Sequence, residues 1–195
     1  MEKKDILMAG VGGQGTILAS NILAEVGLKL GYDVKKSEVH GMAQRGGTVE
    51  SHVRWGRNVY APLVERGHAD YLLGFEMLEA ARWPIYLQEG TVVVVNRYKI
   101  PPLAVNLGRE NYPSESEVEA LLGAAGGRVV WVDGTGIAAR LGNPAAAGVV
   151  LLGAFSHIIG GEEEIWLEVI RNLVPEKFLD LNEKAFHAGR ACSAA

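Results

Sequence analysis

Residues 5–15 are Asp5-Ile6-Leu7-Met8-Ala9-Gly10-Val11-Gly12-Gly13-Gln14-Gly15, a short apolar run that leads directly into a glycine-rich turn. The apolar run is typical of a buried strand. Over residues 13–30 apolar side chains then recur at helical spacing, up to Gly31. The glycines fit the G-x-G-x-x-G pattern, which permits a tight turn and leaves a helix N-terminus open to an anion. This strand–turn–helix unit predicts an α/β domain.

Strand and helix patterns alternate along the rest of the chain. Further strands are predicted at 34–40, 48–55, 71–75, 91–95 and 128–132, and helices at 76–87, 114–125, 136–141, 145–159, 163–173 and 176–188. The strict alternation of 48–55 is typical of a half-exposed strand, whereas the valines at 92–95 indicate a strand covered on both faces. We expect an α/β fold with a Rossmann-like, mainly parallel sheet flanked by helices, and with C-terminal helices. Residues 1–190 should form a single domain, followed by a disordered tail at 191–195.

Composition excludes several classes of protein. The chain has 195 residues, 19 basic and 23 acidic side chains, and no Lys/Arg cluster, so nucleic-acid binding is not expected. Cys192 is the single cysteine, and an iron–sulfur cluster takes about four. We therefore expect no cluster in this chain and a reducing, cytoplasmic setting. The longest apolar stretch, 145–159, is shorter than the roughly 20 residues that span a membrane, so no membrane partner is expected.

The glycine loop, residues 10–15, supplies the first candidate site. Its candidate cofactor-binding residues are Gly10, Gly12, Gly13, Gln14 and Gly15. Three interpretations remain open: binding of NAD(P) or FAD, contact with another phosphate or with a partner's backbone, and close packing of strand and helix. The dinucleotide fingerprint also needs an acidic residue about 20 positions on. Glu38 is 23 residues beyond Gly15 and follows two lysines, so it matches only loosely.

A second candidate loop joins two predicted strands. Residues 40–47 are His-Gly-Met-Ala-Gln-Arg-Gly-Gly, which is longer and more polar than a simple turn requires. Gln44 and Arg45 are the candidate binding residues of this loop. The alternative is a solvated loop whose arginine contacts nothing.

Taken together, these spaced motifs resemble a known family. Gly-Val-Gly-Gly-Gln-Gly-Thr at 10–16 and Glu-Val-His-Gly-Met-Ala-Gln-Arg-Gly-Gly at 38–47 are similar to the beta subunit of indolepyruvate ferredoxin oxidoreductases. More broadly, they resemble the gamma subunit or domain of 2-oxoacid:ferredoxin oxidoreductases. The other matching segments are 51–54 (Ser-His-Val-Arg), 61–63 (Ala-Pro-Leu), 67–70 (Gly-His-Ala-Asp), 75–80 (Phe-Glu-Met-Leu-Glu-Ala), 142–144 (Gly-Asn-Pro) and 152–154 (Leu-Gly-Ala).

The resemblance implies CoA-dependent oxidative decarboxylation of a 2-oxoacid, with ferredoxin as the electron acceptor. It implies that thiamine diphosphate and the iron–sulfur clusters belong to a large partner subunit, that CoA acts in the complex, and that the isolated chain is inactive. The 42–47 stretch favours the indolepyruvate branch and thus an aryl 2-oxoacid. Gln44 and Arg45 would then face the partner's cofactor region.

Other polar residues carry weaker signals. The five histidines are His40, His52, His68, His157 and His187, and none has a partner at metal-ligand spacing. We expect them to be structural, with His157 buried in an apolar helix. Glu76 and Glu79 fit a solvated helix start better than an acid–base pair. Two other hypotheses remain for the whole chain: a free-standing NAD(P)-binding Rossmann protein, and a non-catalytic binding protein with this fold.

Overall fold

In a computed structural model that describes residues 2–40 and 47–193, the chain forms one six-stranded sheet with helices on both faces. The strands are β1 (Lys4–Val11), β2 (Asp33–His40), β3 (Thr48–Gly56), β4 (Ala69–Gly74), β5 (Leu87–Asn96) and β6 (Gly127–Val132). The helices are α1 (Thr16–Lys29), α2 (Met77–Ala80), α3 (Leu103–Asn106), α4 (Glu115–Ala124), α5 (Gly134–Arg140), α6 (Ala147–Ile159), α7 (Glu163–Leu173) and α8 (Leu179–Ser193). Short 3-10 turns occupy Pro84–Tyr86, Pro144–Ala146 and Glu176–Phe178.

The strand order is β2-β3-β1-β4-β5-β6. The pairs β1–β4, β4–β5 and β5–β6 are parallel, whereas β3 is antiparallel to both β1 and β2. Because β1 and β2 both oppose β3, they run in the same direction. The expected mainly parallel sheet is confirmed, and the carboxyl ends of β1, β2, β4, β5 and β6 lie at one edge.

The core has two layers, one on each face of the sheet. Val94 faces a large cluster with α1 and the C-terminal helices α5 to α8, whereas Val93 faces a smaller cluster with α2 and α4. Both valines are fully buried. The uninterrupted valine run of β5 therefore reflects a strand covered on both faces, as its sequence predicts.

The prediction of a half-exposed β3 is wrong, because the polar face of this strand is buried as well. His52 is 1% exposed and Arg54 is 9% exposed. Arg54 forms a two-point ion pair with the fully buried carboxylate of Asp5, with N–O distances of 2.8 and 3.2 Å. It also donates to the carbonyl oxygens of Ala61 and Leu63, each at 3.0 Å.

The same face of β3 thus holds the connection to β4, residues 57–68. His52 Nδ1 accepts from Val64 N–H at 3.1 Å, and its Nε2 is hydrogen-bonded to Glu50 Oε1. Motif residues at 51–54 and 61–63 therefore fasten a loop at the amino edge of the sheet, away from the glycine loop. Their role in this fold is structural.

The predicted helix at 76–87 is also wrong in extent. Helix α2 ends at Ala80, a 3-10 turn follows at Pro84–Tyr86, and β5 begins at Leu87. Pro84 explains the break, because proline lacks an N–H and disfavours helical backbone in the residue before it.

Helices α6 and α8 cross at unusually short range. A Cβ atom on Gly153 would lie 2.1 Å from the carbonyl oxygen of Phe186, and one on Gly189 would lie 2.0 Å from that of Val150. Helix α8 continues to Ser193, so residues 191–193 are helical, beyond the start of the predicted tail. Within the described residues, no helix combines the length and apolar character that crossing a membrane demands.

Candidate functional site

The glycine loop joins β1 to α1 at the carboxyl edge of the sheet. Gly13 and Gly15 have φ angles of +101° and +76°, which side-chain-bearing residues rarely adopt. At Gly10 the constraint is space, because a Cβ there would lie 2.8 Å from Thr16 Cγ2 and 2.9 Å from Phe75 Cβ. Close packing of strand and helix, one of the three interpretations, therefore accounts for Gly10.

The side chain of Gln14 forms two hydrogen bonds that shape the glycine loop. Its Oε1 accepts from Val11 N–H at 2.7 Å, and its Nε2 donates to the carbonyl oxygen of Phe75 at 3.0 Å. The side chain thus joins the end of β1 to the end of β4. In this arrangement the Gln14 side chain shapes the loop.

Asn96, which the sequence did not single out, completes this edge. It is 2% exposed and ends β5. Its Nδ2 donates to the Phe75 carbonyl oxygen at 3.1 Å and to Thr135 Oγ1 at 2.9 Å, and its Oδ1 accepts from Thr135 N–H at 3.2 Å. In the sequence, Asn96 is marked only by its position as a polar residue directly after the valine run at 92–95.

These contacts surround a cavity of about 300 Å³, called here the edge cavity. It is lined by Gly12, Gly13, Gln14, Phe75, Asn96, Tyr98, Ile100, Thr135, Pro144, Ala145 and Ala147. These lining residues carry aromatic, aliphatic, amide and hydroxyl groups, and none of them is charged. By itself this lining suits a neutral, partly apolar group better than a phosphate.

The second candidate loop meets the glycine loop at its end. Gly12 N–H donates to the carbonyl oxygen of Gly47 at 2.9 Å. Gln44 and Arg45 lie outside the described residues, so their binding role stays a prediction. Because the flanking strands β2 and β3 are described, the loop is known to start and finish at the carboxyl edge of β1.

Glu38 does not occupy the position of a ribose-binding carboxylate. In a dinucleotide-binding unit the acidic residue ends the strand adjacent to β1. Here β3 separates β2 from β1. Glu38 accepts from Ser20 Oγ at 3.0 Å and from Lys36 Nζ at 2.6 Å, and so anchors β2 to α1.

Other candidate groups are placed as follows. Glu76 and Glu79 are 1% and 6% exposed, so the expected solvated helix start is wrong. His157 is exposed on α6, not buried as expected. Asp133 caps α5 by accepting from Gly136 N–H at 3.0 Å. Among residues 2–40 and 47–193, no group of three or more His, Cys, Asp and Glu side chains has metal-binding geometry.

Comparison with known proteins gives one consistent result. The model of the pyruvate ferredoxin/flavodoxin oxidoreductase family matches residues 5–192. The indolepyruvate oxidoreductase subunit IorB of Thermococcus kodakarensis is 42% identical over 193 residues, which cover 97% of this chain and 95% of that protein. Its counterpart from Pyrococcus horikoshii is 41% identical, with the same coverage.

Solved structures agree on the fold. The gamma subunit of a keto/oxoacid ferredoxin oxidoreductase from Geobacter sulfurreducens is 26% identical and superposes with a TM-score of 0.73 over 98% of this chain and 99% of that one. A 2-oxoglutarate:ferredoxin oxidoreductase from Magnetococcus marinus shares the fold, at 20% identity and a TM-score of 0.78. All of this chain matches 31% of that longer chain.

Proposed function

The chain belongs to the pyruvate ferredoxin/flavodoxin oxidoreductase family, and we propose that it acts as the small subunit of an indolepyruvate-type 2-oxoacid:ferredoxin oxidoreductase. The observation that carries this proposal is the full-length similarity to IorB subunits. With a large partner subunit, the complex catalyses CoA-dependent oxidative decarboxylation of an aryl 2-oxoacid and passes the electrons to ferredoxin. We propose a reducing, cytoplasmic location for the complex.

The redox cofactors fit the partner and not this chain. One cysteine cannot ligate an iron–sulfur cluster. The resemblance of the sequence motifs to this family supports the same location, in the large subunit, for thiamine diphosphate. We therefore assign this chain a binding and positioning role beside cofactors that the large subunit holds.

The carboxyl edge is the surface that we assign to the partner. The glycine loop and both ends of the 40–47 loop, His40 and Gly47, lie at this edge, and a hydrogen bond joins Gly12 to Gly47. Ligands of open α/β sheets bind at this edge. In the proposal Gln44 and Arg45 contact an anionic group in the partner's cofactor region, which is a carboxylate or a phosphate of thiamine diphosphate or CoA.

Arg45→Ala tests this assignment. In the proposal Arg45 is solvated in the isolated chain, and a solvated arginine contributes little to stability, so the melting temperature of the isolated chain should stay near the wild-type value. Turnover or assembly of the reconstituted complex should fall about 30-fold or more, because loss of one partner of a desolvated charge pair costs roughly 2–5 kcal/mol. Arg45→Lys should restore only part of the loss if the contact is bidentate. Viologen reduction with indolepyruvate and CoA measures turnover.

Arg57→Ala is the matched control, since Arg57 is an exposed loop arginine at the opposite edge of the sheet. It should behave as wild type in every assay. Wild-type assembly and turnover in Arg45→Ala would make Arg45 a solvated side chain and remove it from the site.

The alternative, a free-standing NAD(P)-binding protein, rests on the glycine pattern alone. Two observations count against it. Strand β3 lies between β1 and β2, and Glu38 accepts hydrogen bonds from Ser20 and Lys36. Calorimetric titration with NADH separates the two functions. Micromolar binding to the isolated chain would favour the alternative.

A further inference from the structure

Glu76 is a buried carboxylate at the end of β4, inside one of the sequence motifs. Three donors satisfy it: Glu79 N–H bonds to Oε2 at 2.9 Å, Ile100 N–H bonds to Oε1 at 2.9 Å, and the Tyr112 hydroxyl also donates to Oε1. The Tyr112 oxygen in turn accepts from Leu78 N–H at 3.2 Å. A buried carboxylate is stable only when its oxygens are satisfied in this way.

Two of these donors belong to the connection between β5 and α4, residues 97–114. Most of this connection lacks regular structure, and its one short helix, α3, has no buried residue. Leu103 and Leu107 are 73% and 56% exposed, so burial of large apolar side chains in α3 does not hold the connection in place. The connection is held by polar contacts together with the packing of Tyr112 against the smaller core cluster, and Met77 N–H donates to the Tyr98 carbonyl oxygen at 3.1 Å beside the Glu76 bonds.

This connection between β5 and α4 forms part of the candidate site. Tyr98 and Ile100 line the edge cavity together with the glycine loop, and Phe75, the residue before Glu76, lines it too. The Phe75 carbonyl oxygen joins Gln14 to Asn96. One dipeptide, Phe75-Glu76, therefore connects the glycine loop, the end of β5 and the wall formed by residues 98–100.

We propose that Glu76 is a positioning residue of the edge cavity, holding Ile100 and Tyr112 so that Tyr98 and Ile100 present a fixed wall to the group that the cavity receives in the complex. This inference rests on the proposed function only for the identity of that complex. Glu79, one helical turn on and also buried, has a different role, because its Oε1 accepts from Arg82 Nε at 2.9 Å.

Glu76→Asp separates positioning from helix capping. Aspartate is a preferred N-cap, so the bond to Glu79 N–H and the stability of α2 should be kept. Its side chain is one methylene shorter and should lose Ile100 and Tyr112. Tyr112→Phe removes only the hydroxyl, and Glu79→Gln is the control on the same helix.

The first measurement is hydrogen exchange on the isolated chain. Amides of residues 98–100 should exchange at least tenfold faster in Glu76→Asp, with a smaller increase in Tyr112→Phe and wild-type rates in Glu79→Gln. Equal acceleration in Glu79→Gln would indicate general loosening and would overturn the assignment. Wild-type exchange in Glu76→Asp would also overturn it.

The second measurement uses the complex reconstituted with the large subunit. Glu76→Asp should raise the KM for indolepyruvate or CoA, or the Kd of assembly, about fivefold or more, while kcat changes less than twofold. Tyr112→Phe should change the same constant in the same direction. Faster exchange with wild-type KM and Kd would show that the wall has no role in the site. Failure of the wild-type complex to assemble or turn over would contradict the proposed function, and the exchange result would still decide what holds the connection.

Discussion

Gly10 lies where the end of β1, the start of α1 and the end of β4 meet, and its lack of a side chain is a packing requirement. A Cβ at this position would approach both Thr16 Cγ2 and Phe75 Cβ more closely than Cβ atoms do in folded proteins. We expect Gly10→Ala to lower the free energy of unfolding by about 1–3 kcal/mol, the usual cost of overpacking. Urea denaturation of the isolated chain measures this change.

Gly123→Ala is the control for this substitution. Gly123 lies inside α4 with no atom within 4 Å of an added Cβ, so alanine should stabilise the chain by about 0.5–1 kcal/mol through helix propensity. If Gly10→Ala is also neutral or stabilising, the close approach at the glycine loop is not a constraint on the fold.

Asp70 predicts a pH dependence. Burial raises the pKa of the Asp70 carboxyl and the charge of Asp5 adds to this, while the bond from Asp5 N–H opposes it. A carboxyl whose pKa is raised by folding binds more protons in the folded state. Its contribution to stability is therefore greatest at acid pH and falls as the pH rises from about 4 through the folded-state pKa. Asp70→Asn should gain stability relative to wild type as the pH rises through this window, as urea denaturation at several pH values would show. A difference that does not change with pH would contradict this prediction.

At the residue scale, the sequence predicts where loop and capping residues lie, but it predicts few of the contacts that their side chains make. The glycine loop follows from a local pattern, and in the structure the side chains of Ser114 and Asp133 cap α4 and α5 by accepting from backbone N–H groups three residues on. The bond from Gln14 to Phe75, which is 61 residues away, has no local signature. The contacts of Asn96 and Glu76 are equally non-local, so the sequence could not reveal the edge cavity.

At the element scale, the crossing of α6 and α8 depends on two glycines that face opposite backbones. Gly153→Ala or Gly189→Ala would place a methyl group about 2 Å from a carbonyl oxygen, so the helices must separate. We expect each substitution to cost about 3 kcal/mol or more, because both helices sit in the main core. His157→Ala, on the exposed side of α6, should stay within about 0.5 kcal/mol of wild type. A small effect at Gly189 would show that the crossing can relax.

Element prediction succeeded where periodicity was long and failed where tertiary contacts decided. The valine run of β5 and the apolar helix α6 are predictable because burial of most of their side chains leaves an almost continuous apolar signal. The alternation of β3 gave the wrong exposure because His52 and Arg54 bond to a loop at 57–68 instead of water. Pro84 is the residue in the sequence that argues against a helix as long as 76–87.

At the scale of the whole molecule, the proposed division of labour predicts a colourless chain. The purified subunit should contain no stoichiometric iron and should not reduce viologen with any 2-oxoacid, because one cysteine cannot hold a cluster. Addition of the large subunit should produce activity that saturates at a fixed ratio of the two chains. Iron analysis, absorbance and titration of activity measure these outcomes. Turnover by the isolated chain would refute the assignment of the cofactors to the partner.

The α/β class and the family were predictable from the sequence because they depend on many spaced signals. The strand order was not, since placing β3 between β1 and β2 depends on backbone pairing between segments that share no pattern. That one insertion decides whether Glu38 can serve a bound ribose.

The antiparallel position of β3 also has a consequence for the order in which the protein folds. Strands β1, β2 and β3 and the helix α1 all lie within the first 56 residues, and β2 pairs with β3 as a hairpin, from His40 with Val49 to Asp33 with Gly56. Loop-closure entropy favours such contacts over the parallel pairing of β1 with β4, which must bring together more distant segments. We expect the amino-terminal half of the sheet to form early, during synthesis, with its β1 edge open until β4 emerges. Substitutions in the β2–β3 hairpin should then slow folding, whereas those at the α6–α8 crossing should mainly speed unfolding.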